Sequence, residues 1–245
     1  MTPTLVPHHP ARDWAEIQER MLVPLYEAVY DRLGVGAGSR VLGLGCGSGL
    51  ALLMAAARGA RVAGVDRDRA RLALAAERLP GTPLGTDPAD TGVREAGPYD
   101  VITAFHGAAG LADVTRLAEP GAAVVVAGWG PPERCATASV RRVAARLAGW
   151  HAAEHDALRD RLAEAVGGAG LRPSGSGRVA CPFGYADRDS AVRGLLSTGE
   201  FDAAVRVTDP DQVEKELLEA LEPYARRDGT VWMPNVFRYV VARVP

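Results

Sequence analysis

Residues 41–50 read VLGLGCGSGL. An apolar run ends there in four alternating glycines, Gly43, Gly45, Gly47 and Gly49, and an apolar helix-like stretch, SGLALLMAAARGA, follows. A turn without side chains between a strand and a helix lets a ligand approach the backbone closely. It also leaves the first N–H groups of the helix pointing at that ligand. The spacing narrows the kind of ligand. A pyrophosphate-binding turn has the form G-x-G-x-x-G, and no triple here gives it, because position 48 is Ser and position 50 is Leu. The pattern G-x-G-x-G suits a ligand without a pyrophosphate and disfavours a nicotinamide-dependent oxidoreductase. Asp66 closes the next apolar run, RVAGVD (61–66), where a carboxylate can accept both hydroxyls of a ribose.

The chain has 245 residues, 47% of them hydrophobic, enough to bury one good core. A net charge of −2 gives no electrostatic reason to expect nucleic acid or an anionic membrane surface as partner. No apolar stretch approaches the ~20 residues that span a bilayer. The N-terminus, MTPTLVPHHPARDW, lacks the layout of a signal peptide. Cys46, Cys135 and Cys181 are scattered and odd in number, which implies no disulfide framework. A cytoplasmic protein is therefore expected. Lys215 is the only lysine, and the heavy use of Arg, Ala, Gly and Pro suggests a GC-rich bacterial genome.

Outward from the glycines, strand-like and helix-like pieces alternate. Strands are expected over 39–45, 61–66, 82–87, 99–105 and 122–129, with helical lengths between them. That alternation implies right-handed crossovers and a mostly parallel sheet. Residues 11–33 read as a helical approach broken at Pro24, and 136–169 as an Ala- and Arg-rich helical region. A sixth strand is expected within 172–183, a helix over 211–227, and a terminal strand or strand pair over 230–244 interrupted at Pro234. The economical organisation is one domain, 1–245, with an N-terminal helical cap (1–35) and a helical elaboration (131–170).

Taken together these stretches resemble the class I S-adenosylmethionine-dependent methyltransferases, in particular their small-molecule, type 11-like branch. VLGLGCGSG is similar to the family's first motif, VAGVDRD to its ribose-binding acid, and GTDPAD to the acid beside the adenine. YDVITAFH resembles the fourth-strand motif and LAEPGAAVVVAGWG the fifth-strand entry. DWAEIQERMLVPLYEAV and NVFRYVVAR also resemble one branch of these enzymes, so the likeness covers nearly the whole chain. It implies a Rossmann-like α/β fold, a seven-stranded mostly parallel sheet with helices on both faces. It implies S-adenosylmethionine as cofactor, with S-adenosylhomocysteine as product. The partner implied is a small-molecule acceptor, in bacterial natural-product metabolism, acted on by a monomer or homodimer.

Carried over residue by residue, the resemblance assigns Gly45, Cys46 and Gly47 to the methionine and ribose. Asp66 goes to the ribose hydroxyls, Arg67 and Asp87 to the adenine, and Phe105 to the closing wall. His106, just beyond the fourth strand, is the candidate general base, since a free imidazole titrates near neutrality. Trp14, Tyr26, Trp129 and Tyr185 are candidates for an apolar acceptor pocket.

One departure from the family stands out. The first strand usually ends in Asp or Glu, and here that position is Gly43. A hydrogen bond to a charged group is worth about 1.5–3 kcal/mol, so a roughly tenfold loss in cofactor affinity is expected. If the backbone at Gly43 is strand-like, Gly43→Asp is expected to recover it. The same gap keeps a second reading open, a protein of this fold that binds the cofactor but catalyses a non-methylating reaction, such as a cyclisation or elimination, or only binds ligand. Cys46 reads as a small filler rather than a nucleophile. HAAEH (151–155) matches a zinc-peptidase pattern without a third ligand, and no metal is expected.

Overall fold

A computed structural model describes residues 10–149 and 161–245. His8, His9 and the HAAEH segment lie outside the described residues.

Seven strands form one sheet in the order β3-β2-β1-β4-β5-β9-β6. They are β1 (Arg40–Leu44), β2 (Arg61–Val65), β3 (Leu84–Gly85), β4 (Tyr99–Ala104), β5 (Ala118–Trp129), β6 (Arg172–Ala180) and β9 (Val236–Arg243). The first five are parallel, while β9 runs antiparallel between β5 and β6. β7 (Phe183–Tyr185) and β8 (Val231–Met233) pair separately as a two-stranded ribbon. Pro234 therefore separates two strands of different sheets, since it can donate no ladder hydrogen bond.

The central strands β1, β4 and β5 are apolar almost throughout because both faces of the sheet are covered there, whereas the edge strand β6 is largely exposed. Successive residues point to opposite faces, and β1, β4, β5 and β9 accordingly feed two cores. Val41, Val101, Val125 and Val241 join one core, with the helix Leu50–Ala57 and the N-terminal helices. Leu42, Ile102, Val124 and Ala242 join the other, with Val93, Leu111 and Val166 from the helices beneath. A continuous apolar run is what two-sided burial demands.

The N-terminal segment is helical from Pro10 to Leu33, through one π turn (Trp14–Gln18) and one 3-10 turn (Glu19–Leu22). Pro24 does not break it: it stands at the start of the helix Val23–Leu33, where its missing N–H costs nothing. Leu25, Tyr26, Val29 and Tyr30 are fully buried on one face. In the later elaboration the helices Thr137–Leu147 and Arg161–Gly168 are described. Two further helices, Arg188–Leu196 and Asp202–Val207, follow β7 in a stretch not read as helical from the sequence. Among the described residues no helix is long and apolar enough to cross a membrane.

Candidate active site

The glycine turn leaves β1 with three left-handed residues, Gly45 (φ +64°), Gly47 (φ +59°) and Gly49 (φ +83°), each strained for any side chain. Their surroundings differ. A Cβ at Gly45 would meet nothing within 4 Å, so the backbone there faces open space. A Cβ at Gly47 would lie 2.9 Å from Nε1 of Trp14, and one at Gly49 would lie 3.1 Å from Cβ of Ala75. Gly45 thus leaves room for a ligand, Gly47 receives the cap, and Gly49 permits close packing of the helix Arg69–Arg78.

Gly43 lies in β1, paired with Gly64 of β2, so its backbone is strand-like as the expectation required. Its side-chain space is nevertheless taken: a Cβ there would come within 3.1 Å of both Cys46 Cβ and Leu52 Cδ2. A side chain in Gly43→Asp would need Cys46 and Leu52 to give by a few tenths of an ångström, so the hollow over the two facing glycines is tight. Cys46 is accordingly a buried filler, its thiol pushed up by burial and then by the charges of Asp66 and Glu19.

At the end of β2, Asp66 is half-buried and faces the glycine turn. Its Oδ2 accepts from the Gly47 N–H at 2.8 Å, and its Oδ1 from the Asp68 N–H at 2.8 Å. A carboxylate offers about four acceptor positions, so each oxygen keeps capacity for a ribose hydroxyl. Asp68 caps the following helix, accepting from Ala70 and Arg71 N–H. Arg67 is exposed. Asp87 is exposed beyond β3, its Oδ1 accepting from Ala89 N–H at 2.8 Å. That loop is shaped by Asp90, whose Oδ2 accepts from the N–H groups of Thr86 (2.8 Å) and Asp87 (3.2 Å).

β4 delivers Phe105 and His106. Phe105 is buried against Tyr26, ring centroids 4.8 Å apart. The imidazole of His106 stands edge-on to Trp14 at 4.9 Å, and its Nε2 lies 3.0 Å from the hydroxyl of Tyr26. Tyr26 is fully buried, and His106 is its hydroxyl's only hydrogen-bond partner among the described residues. Burial, and then the charge of Glu19, hold the Tyr26 pKa well above its ordinary value, so the hydroxyl keeps its proton. A buried phenol must donate that proton. Nε2 of His106 is therefore the acceptor, and the ring proton sits on Nδ1. Burial, followed by the nearby Arg71 cation, pushes the His106 pKa down to about 3. The expected titration near neutrality gives way to a neutral imidazole that offers an N–H.

His106, Phe105, Trp14 and Trp129 all line one cavity of about 700 Å³. Trp14 and Leu22 of the cap line it together with Arg71, Phe183 and Phe237. The Arg71 guanidinium lies 4.6 Å from the Trp14 ring centroid. Trp129 packs against Phe237 at 4.5 Å, and its Nε1 donates to Glu200 at 2.8 Å. Arg141 stacks over Trp129 and donates to the same carboxylate at 2.6 Å. Tyr26 and Tyr185, expected in the acceptor pocket, are instead buried behind its wall, with the Tyr185 hydroxyl donating to Gln18 at 2.9 Å. Arg71, Glu200, Phe183 and Phe237 were not singled out from the sequence. Of these, only Arg71 carried a signal, standing one helical turn beyond the Asp68 cap.

Residues 42–126 match a family model described as a methyltransferase domain. No curated protein matches the sequence. Among solved structures, a methyltransferase from Thiobacillus denitrificans in complex with S-adenosylhomocysteine is 21% identical, with 97% of this chain and 94% of that chain covered, at a TM-score of 0.50. A functionally unknown protein from Deinococcus radiodurans R1 is 18% identical, covering 90% of this chain and 86% of that one, TM-score 0.51. The YcgJ protein from Bacillus subtilis is 14% identical, covering 89% and 97%, TM-score 0.51. These likenesses are of fold. The sheet order, the glycine turn and the acid after β2 define a Rossmann-like α/β protein of the methyltransferase type. Residues 42–126 thus carry a methyltransferase domain, and the chain around them has the class I methyltransferase fold.

Proposed function

We propose that the protein binds S-adenosylmethionine at the glycine turn and methylates a small-molecule acceptor held in the neighbouring cavity. The observation that carries this reading is the Asp66 carboxylate, held 2.8 Å from the Gly47 N–H across a turn whose Gly45 faces open space. The residues present fit the cofactor. Gly45 and Gly47 would lie along its methionine and ribose, and Asp66 would take the ribose hydroxyls. Arg67 and Asp87 would flank the adenine, and Phe105 would close the wall. Bound S-adenosylmethionine supplies an activated methyl group on a sulfonium.

The protein's contribution is then alignment and exclusion of water. The aromatic walls of the cavity favour a largely apolar, flat acceptor, of the kind met in bacterial natural products. His106 is the residue nearest to chemistry. As a neutral ring with its proton on Nδ1 it donates a hydrogen bond and orients an acceptor oxygen, rather than removing a proton.

A second reading, cofactor binding without methyl transfer, draws on the filled hollow at Gly43. Calorimetric titration with S-adenosylmethionine, S-adenosylhomocysteine and NAD tests the first. Micromolar binding of the sulfur ligands and none of NAD is expected, and tight NAD binding would sink it. Methyl transfer to any member of an aromatic acceptor panel separates the two readings.

A further inference from the structure

The carboxylate of Glu19 is fully buried, yet it belongs to the cap and not to the sheet. It accepts from the Ser48 hydroxyl, from the Leu50 N–H at 3.4 Å, and from Arg78 at 2.7 Å. Arg78 in turn donates to the Ser48 carbonyl at 3.0 Å and the Ala15 carbonyl at 2.9 Å. Every one of these bonds ends on residues 48–50, just past Gly47, or on the cap itself.

We infer that Glu19 is the positioning carboxylate of the cofactor turn, supplied by the cap in place of the side chain that Gly43 lacks. The inference rests on the proposed cofactor site. Its physical basis is the geometry of the turn. Gly47 and Gly49 hold left-handed conformations on either side of Ser48, and glycines are free to leave them unless something fixes the chain between. Glu19 and Arg78 grip Ser48 by its hydroxyl and its carbonyl, which holds the Gly47 N–H on Asp66. The clamp also runs the other way. The cap, with Trp14 lying over Gly47, is tied to the turn through the same carboxylate, so docking of the cap and ordering of the turn are one event. Glu19 does not touch the ligand in this scheme. It acts through Ser48.

Two substitutions test it: Glu19→Gln, which keeps shape but removes charge, and Ser48→Ala, which removes the hydroxyl and leaves the Glu19–Arg78 pair intact. Affinity for S-adenosylhomocysteine is measured by calorimetry well below each Tm. Hydrogen exchange of residues 10–33 is followed with and without the ligand. Glu19→Gln is expected to weaken binding tenfold or more and Ser48→Ala severalfold, and both to abolish ligand-induced protection of the cap. A purely structural Glu19 would lower Tm and leave both readouts at wild-type values in the folded protein, and that result overturns the inference while the cofactor site stands. Should Glu19→Gln not fold, Ser48→Ala alone decides. Wild-type protein that binds neither S-adenosylmethionine nor S-adenosylhomocysteine overturns the cofactor site, and the inference with it.

Discussion

The hydroxyl of Tyr26, in the cap, lies 3.0 Å from Nε2 of His106, at the end of β4. This one contact fixes the tautomer of His106, the only histidine in the cavity wall among the described residues, and turns a candidate base into a hydrogen-bond donor. It follows that the pH profile of turnover has no His106 limb near neutrality, since the imidazole stays neutral down to about pH 3. The amide of His106→Asn, which can still donate, is expected to retain far more activity than His106→Ala. If His106→Ala removes a limb near pH 6.5, the residue is a base after all.

The same pair makes a prediction about stability. The folded-state pKa of His106 is depressed to about 3, while an unfolded histidine titrates near 6.5. Below about pH 6.5 the unfolded chain takes up a proton that the folded chain refuses, so stability falls as pH drops. Between about pH 6.5 and 4 the Tm of wild type should decline more steeply than that of His106→Asn. Parallel melting curves for the two proteins would contradict the buried neutral ring.

Asp66→Asn addresses the cofactor. On the proposed cofactor reading, two charge-assisted bonds to the ribose diol weaken together with those from the Gly47 and Asp68 N–H groups. Affinity for S-adenosylhomocysteine should fall at least tenfold, with a modest loss of Tm because the turn loosens. Calorimetry and a melting scan on the same preparation check both.

For Gly43→Asp the expected effect is on folding. The added side chain must push against Cys46 and Leu52 in a filled space, and overpacking of this kind costs typically about 1–3 kcal/mol. Thermal unfolding should shift down by several degrees with no tightening of cofactor binding. A tighter complex at unchanged Tm would mean that the hollow yields to a carboxylate.

Trp129→Ala separates the two halves of the site. The indole lines the cavity and is held by Glu200, whereas no residue of the glycine turn lines that cavity. Acceptor KM should rise about tenfold, the scale of a lost aromatic contact, while S-adenosylhomocysteine affinity stays within about twofold. A matching loss in both would place Trp129 in the cofactor's half.

The sequence by itself determined the central sheet, because strands buried on both faces are written as unbroken apolar runs. The turn glycines and the acid after β2 were legible for a similar reason: left-handed backbone and a strand-end carboxylate depend on local chemistry. What surrounds them was decided by tertiary structure alone. Glu19 looks like any helical glutamate until the cap lays it on Ser48, 29 residues away in sequence. Gly43 reads as a gap until Leu52 and Cys46 are seen to fill it. Tyr26 and Tyr185 carry the same side chain as a pocket aromatic, and only packing turned them behind the wall. The protonation of His106 was the least accessible of all, since an imidazole's pKa is set by what buries it and what shares its proton, and neither lies next to it in the chain.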